Sequence, residues 1–125
     1  MLHEMRLEFT TDSDGDAVAT GERGVFGRLI AVIYDRGDMD TGADLTLTFD
    51  QYGVTWTLYA DTNVGTSDFI IYPRVPVQDA AGDDLTVTED SPTHEPPLIM
   101  GRPSLTVAQG GDTKSGAMIL VYEQG

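Results

Sequence analysis

Apolar residues recur at every second position along most of this chain, and that period decides what it can fold into. Met5, Leu7 and Phe9 alternate with Arg6, Glu8 and Thr10. Leu45, Leu47 and Phe49 alternate with Thr46, Thr48 and Asp50, and Val54, Trp56 and Leu58 with Thr55, Thr57 and Tyr59. Leu85 and Val87, then Leu105 and Val107, repeat the pattern against threonines and serine. A strand turns successive side chains to opposite faces, so each run gives an apolar row and a threonine-rich row suited to a solvated sheet face. Turn signals cut the runs short, among them Asp14-Gly15, Arg36-Gly37-Asp38, Thr41-Gly42, Tyr52-Gly53, Val64-Gly65, Ala81-Gly82 and Gly110-Gly111. Asp50-Gln51-Tyr52-Gly53 between two alternating runs predicts a hairpin loop. No window has a helical period. The expectation is an all-β chain, a single antiparallel β-sandwich of jelly-roll or Greek-key type with essentially no helix. It spans residues 1–125 as one domain, with 1–23 supplying an N-terminal strand or arm and an acidic turn.

Three runs break the alternation. Leu29 to Tyr34, Met118 to Tyr122 and Phe69 to Tyr72 are apolar on both faces. In a lone sandwich, half of each run would meet water unless a loop, the N-terminal strand or a second subunit covers it. The expectation is self-association through Leu29, Ile30, Val32, Ile33, Phe69, Ile70, Ile119 and Val121. Arg74, which follows Pro73 at a strand end, is the expected bidentate contact across that interface, ahead of Arg28 and Arg102. Trp56 is expected in the core. Pro73, Pro76, Pro92, Pro96, Pro97 and Pro103 are expected at edges, bends or loops, and Glu89 to Pro97 as an extended acidic surface loop.

Charge narrows the partners. The formal net charge of -14 repels phosphate backbones and anionic lipid, so neither nucleic acid nor a membrane surface is an expected partner. Aspartate outnumbers glutamate, Lys114 is the only lysine, and threonine is abundant. That pattern suits an acidic domain adapted to concentrated salt, where screening lets dense carboxylates coexist. No cysteine is present, which removes disulfides and thiolate metal sites and leaves the redox compartment open. No apolar run approaches the roughly 20 residues that span a bilayer, and Met1 to Thr10 does not read as a signal peptide.

Catalytic signatures are lacking in the sequence. His3 and His94 are the two histidines and have no metal spacing; no G-x-S-x-G elbow occurs. Gly110-Gly111-Asp112-Thr113-Lys114-Ser115-Gly116 lacks phosphate-loop spacing and reads as a turn between the last two strands. No enzymatic activity and no cofactor are expected. Calcium is the one ion to weigh, with Asp12, Asp14 and Asp16 as candidate ligands, but the glycine comes too early for an EF-hand and Arg23 stands at its twelfth position. Asp35, Asp38 and Asp40 form a second acidic loop. Both read more simply as solvated turns, and the Arg36-Gly37-Asp38 tripeptide carries no assigned function.

Four segments occur in an order that resembles small structural proteins encoded among the head genes of tailed viruses. They are Gly27 to Tyr34, Asp44 to Thr48, Tyr72 to Gly82 and Thr106 to Gly116. The resemblance covers most of residues 24 to 123. It implies a non-enzymatic virion component, first a capsid decoration or cement protein on the capsid surface, assembled in the host cytoplasm. Its implied partners are the major capsid protein and further copies of itself in a closed homo-oligomer such as a trimer. The alternatives are a turret, neck or tail component, or a carbohydrate- or receptor-binding module of a tail fibre using Tyr52, Tyr59 and Tyr72. A salt-loving host would account for the acidity.

Overall fold

The computed structural model of the chain describes residues 1–65, 67–76, 81, 86–88, 91–92 and 94–124, with side chains for all of these but 86–88 and 91–92. Gly82 of the expected Ala81-Gly82 turn and the Leu85 and Val87 side chains lie outside that set, as does part of the Glu89 to Pro97 loop. Twelve strands follow in chain order: β1 Leu2–Thr10, β2 Ala17–Thr20, β3 Val25–Asp35, β4 Ala43–Gln51, β5 Val54–Val64, β6 Phe69–Ile71, β7 Val75–Pro76, β8 Thr86–Thr88, β9 Ser91–Pro92, β10 His94–Glu95, β11 Leu98–Ala108 and β12 Ser115–Gln124. No helix occurs among the described residues.

The long strands form an antiparallel sandwich. The first sheet runs β1-β12-β3, and the far edge of β3 is shared between the first half of β11, at Val25 to Arg28, and β6, at Val32 to Tyr34. The second sheet runs β2, the second half of β11, β4 and β5. One strand, β11, therefore passes from one layer to the other, a common way to close a sandwich corner. Gly101 makes the crossing, with φ of 101° and a backbone so close to the Asp50 carbonyl that a Cβ would collide with it. The short pairs β7–β10 and β8–β9 stand apart from both sheets.

The alternating rows meet between the layers. Met5, Leu7, Phe9, Leu29, Val32, Tyr34, Met118, Leu120 and Tyr122 from the first sheet pack with Leu45, Leu47, Phe49, Leu105 and Val107 from the second. Burying a side chain of this size stabilises by roughly 1.5–3 kcal/mol, so this core suffices to drive folding without a staple. Trp56 is half-buried against it, its ring stacked 6.0 Å from that of Phe49. The threonine rows of β4, β5 and β11 face outward.

Bulges at three places in the long ladders shift the phase that strict alternation predicts, one of them in β5 opposite the step from Ala43 to Leu45. Opposite Val121 and Tyr122 stand Ala31 and Leu29, so Ile30 is the extra residue in β3. Opposite Leu47 and Thr48 stand Tyr59 and Thr57, so Leu58 is the extra residue in β5. Tyr59 consequently shares the inward face with Leu47. Val54, expected inside, is exposed because it closes the hairpin opposite Gln51 at the end of the sheet.

Candidate functional site

With no catalytic signature to follow, the candidate site is the outer face of the first sheet, where the doubly apolar strands lie. The Ile30 bulge decides which of their side chains reach it. Leu29 and Val32 fall inward and are fully buried, which corrects the expectation that they meet a partner. Phe69 also turns in, packing on the core with its ring 5.0 Å from Tyr34. Ile30 is half-buried at the bulge. Ile33, Ile119 and Ile70 do stand in one outward row, continued by Arg6 of β1. Within that row Ile119 is buried, Ile33 is half-buried and Ile70 is 47% exposed. Val121, half-buried, stands one row away between Glu4 and Ala31. The centre of the face is thus largely covered by its own neighbours in register.

The uncovered apolar area lies at the other end of the same face. Phe26 and Met100 are cross-strand partners, 55% and 38% exposed. Beside them, Leu98 sits opposite Arg28, which sits opposite Glu123, which sits opposite Leu2. Leu98 and Leu2 are both exposed. Phe26, Leu98 and Met100 escaped the sequence reading. The available signal was that Leu98-Ile99-Met100 is apolar at three successive positions, so two of its side chains must turn away from a core that takes Ile99.

The arginines are mostly spoken for within the chain. Arg6 bridges Glu8 at 2.7 Å and Asp35 at 3.2 Å, and Arg28 lies 3.5 Å from Glu95. Arg74 donates to the backbone carbonyls of Ile30 and Pro73, pinning the segment after β6 alongside the bulge. Arg102 donates to the carbonyls of Gly21 and Glu22.

The acidic turns are knitted into the fold. The Asp12 carboxylate accepts from the amides of Asp14 at 2.9 Å and Asp16 at 3.0 Å, and the Asp12 carbonyl accepts from those of Gly15 and Thr113. Asp12 therefore shapes the turn. No cluster of three metal-ligating side chains occurs among the described residues, so Asp12, Asp14 and Asp16 are not gathered around a common point. Asp35 accepts from the Gly37 amide, and Asp38 from the Ser115 amide at 2.7 Å, which ties the Arg36-Gly37-Asp38 turn to β12. His3 stacks on Tyr122 with 5.5 Å between centroids.

The three tyrosines of the carbohydrate alternative are dispersed. Tyr52 is 95% exposed at the tip of the β4–β5 hairpin, and Tyr72 is exposed after β6. Tyr59 is half-buried and donates to Asp61 at 3.0 Å; burial, and then that bond, hold its hydroxyl well above the usual tyrosine range.

No family model matches the chain. No curated protein matches it either. Among solved structures the chain is similar to one described as "X-ray structure of GH31 CBM32-2 bound to GalNAc". The two are 11% identical with a TM-score of 0.41, over 87% of this chain and 64% of that one. The likeness is too distant to assign a ligand or an activity.

Proposed function

We propose that this protein is a non-enzymatic structural component of a virion, a capsid decoration protein that binds the major capsid protein as a homo-oligomer. The observation that carries the reading is the exposed Phe26–Met100 pair with Leu98 and Leu2 on one sheet face. A small domain that exposes four large apolar side chains on one face, with the Arg28 and Glu123 charges set between Leu98 and Leu2, has the chemistry of an interaction surface. The order of segments resembling tailed-virus structural proteins supplies the setting. The core strands provide a firm platform for such a surface.

Sedimentation of the wild type and of Phe26→Asp at micromolar concentration and high salt tests the assembly reading. The expected result is a discrete homo-oligomer that Phe26→Asp converts to a monomer whose circular dichroism keeps the strand signature of the wild type, since Phe26 lies outside the core. A wild type that stays monomeric, both free and when mixed with undecorated capsid shells, overturns it. Neighbouring genes test the setting: a portal or major capsid gene supports it and a metabolic operon refutes it.

A second reading rests on Tyr52. An aromatic ring almost wholly in solvent, at φ of 54°, suits a receptor- or carbohydrate-binding tip better than a stable turn. Glycan-array binding that disappears in Tyr52→Ala would favour it.

A further inference from the structure

The N-terminal strand offers a second and separate surface. In an antiparallel ladder, residue pairs alternate between those that exchange hydrogen bonds and those that do not. The β1–β12 ladder is flanked by bonds from Thr11 to the Lys114 carbonyl and from Gln124 to the Met1 carbonyl. Both belong to odd-numbered positions of the first strand, and the register between them is unbroken. His3, Met5, Leu7 and Phe9 therefore bond to β12, while the amides and carbonyls of Glu4, Arg6 and Glu8 point the other way. The same argument applies to β2, where the bond from Gly21 to the Pro103 carbonyl sets the phase and turns the backbone of Val18 and Thr20 away from β11. No described strand pairs with either free edge. A groove of about 520 Å³ lies there, lined by residues 4–8, residues 18–20 and Glu22.

We propose that the groove between the free edges of β1 and β2 binds an extended peptide segment, which adds to the first sheet as a strand along Glu4, Arg6 and Glu8. Strand addition uses backbone groups for affinity and side-chain register for specificity. The outward side chains here read acid, base, acid at alternate positions. Antiparallel pairing with a second copy centred on Arg6 would set Arg6 against itself and Glu4 against Glu8, and like charges directly opposite destabilise. The complementary partner carries cation, acid and cation at alternate positions, with small apolar residues between them over Met5, Leu7 and Ala19. Glu22 adds a further acid to the rim, and Glu4 has no ion-pair partner among the described residues. The site stands whether or not the Phe26–Met100 face self-associates.

The test uses the full chain labelled with nitrogen-15 and a nine-residue capped peptide centred on Lys-Val-Glu-Val-Lys. At saturating peptide, the Glu4, Arg6 and Glu8 amides, which exchange freely in the unbound protein, become protected about tenfold or more. The odd-numbered amides of β1 are protected with or without peptide. N-methylation of the two lysines and the central glutamate, which face β1 in this register, abolishes the effect; N-methylation of the two valines leaves it intact. Failure to protect those three amides at millimolar peptide overturns the proposal. So does equal protection by the charge-reversed Glu-Val-Lys-Val-Glu peptide.

Discussion

Arg102 shows how one side chain resolves a conflict written into the sequence. Pro103 lies within β11 opposite Phe49 on one side, and the Gly21 amide donates to its carbonyl at 2.8 Å on the other. A bonded pair normally exchanges two bonds, and proline has no N–H to return the second. The Arg102 guanidinium supplies it, donating to the Gly21 carbonyl and, at 3.2 Å, to that of Glu22. Gly21 is buried, so losing that donor leaves a carbonyl unsatisfied. Arg102→Ala is expected to destabilise by about 1–2 kcal/mol in urea unfolding, with Arg102→Lys recovering part of the loss. A loss under about 0.3 kcal/mol would mean that water replaces the guanidinium. Reading Arg102 as an interface contact missed this, because the need for it arises only once β2 and β11 are known to pair.

At the scale of elements, existence and facing were largely legible and phase was not. The β4–β5 hairpin was readable because Gln51 and Val54 close a two-residue loop on Tyr52 and Gly53, where sequence marks a turn. Both loop residues have positive φ, 54° and 79°, the type I′ geometry that matches strand twist. Asparagine is the residue favoured at the first position, and tyrosine is costly there. Tyr52→Asn is therefore expected to raise stability by about 1 kcal/mol and the melting temperature by a few degrees. Any binding that depends on the ring would be lost in the same variant. An unchanged or lower melting temperature would mean that the tyrosine ring makes compensating contacts. The bulge at Ile30 was not legible, since a single inserted residue leaves no local mark when its neighbours are all apolar, and the bulge at Leu58 was hidden because alternation with Thr57 and Tyr59 runs unbroken through it. That is why Leu29 and Val32 were placed at an interface and belong to the core, while Phe26 and Met100 were overlooked.

At the scale of the whole molecule, charge is the term that the fold does least to compensate. The chain carries 21 acidic against 7 basic side chains, and ion pairs among the described residues are few: Arg6 with Glu8 and Asp35, Arg23 with Glu22, and Arg28 with Glu95. All of these lie at the surface, where a pair is worth little. Carboxylates such as those of Asp12, Asp35, Asp38 and Asp50 accept from backbone amides in turns, which holds acids at fixed positions on a surface with few cations to offset them. Their mutual repulsion falls as the Debye length shrinks from about 10 Å at 0.1 M to about 3 Å at 1 M salt. The melting temperature is accordingly expected to rise steadily from dilute buffer to molar KCl, by several degrees for each kcal/mol of repulsion relieved. Sodium chloride at equal ionic strength should give the same curve, because the effect requires screening and no specific ion site. A flat or falling curve would show that the carboxylates are spaced widely enough to tolerate each other. The acidity would then be a matter of solubility, and adaptation to salt would have no physical basis in this fold.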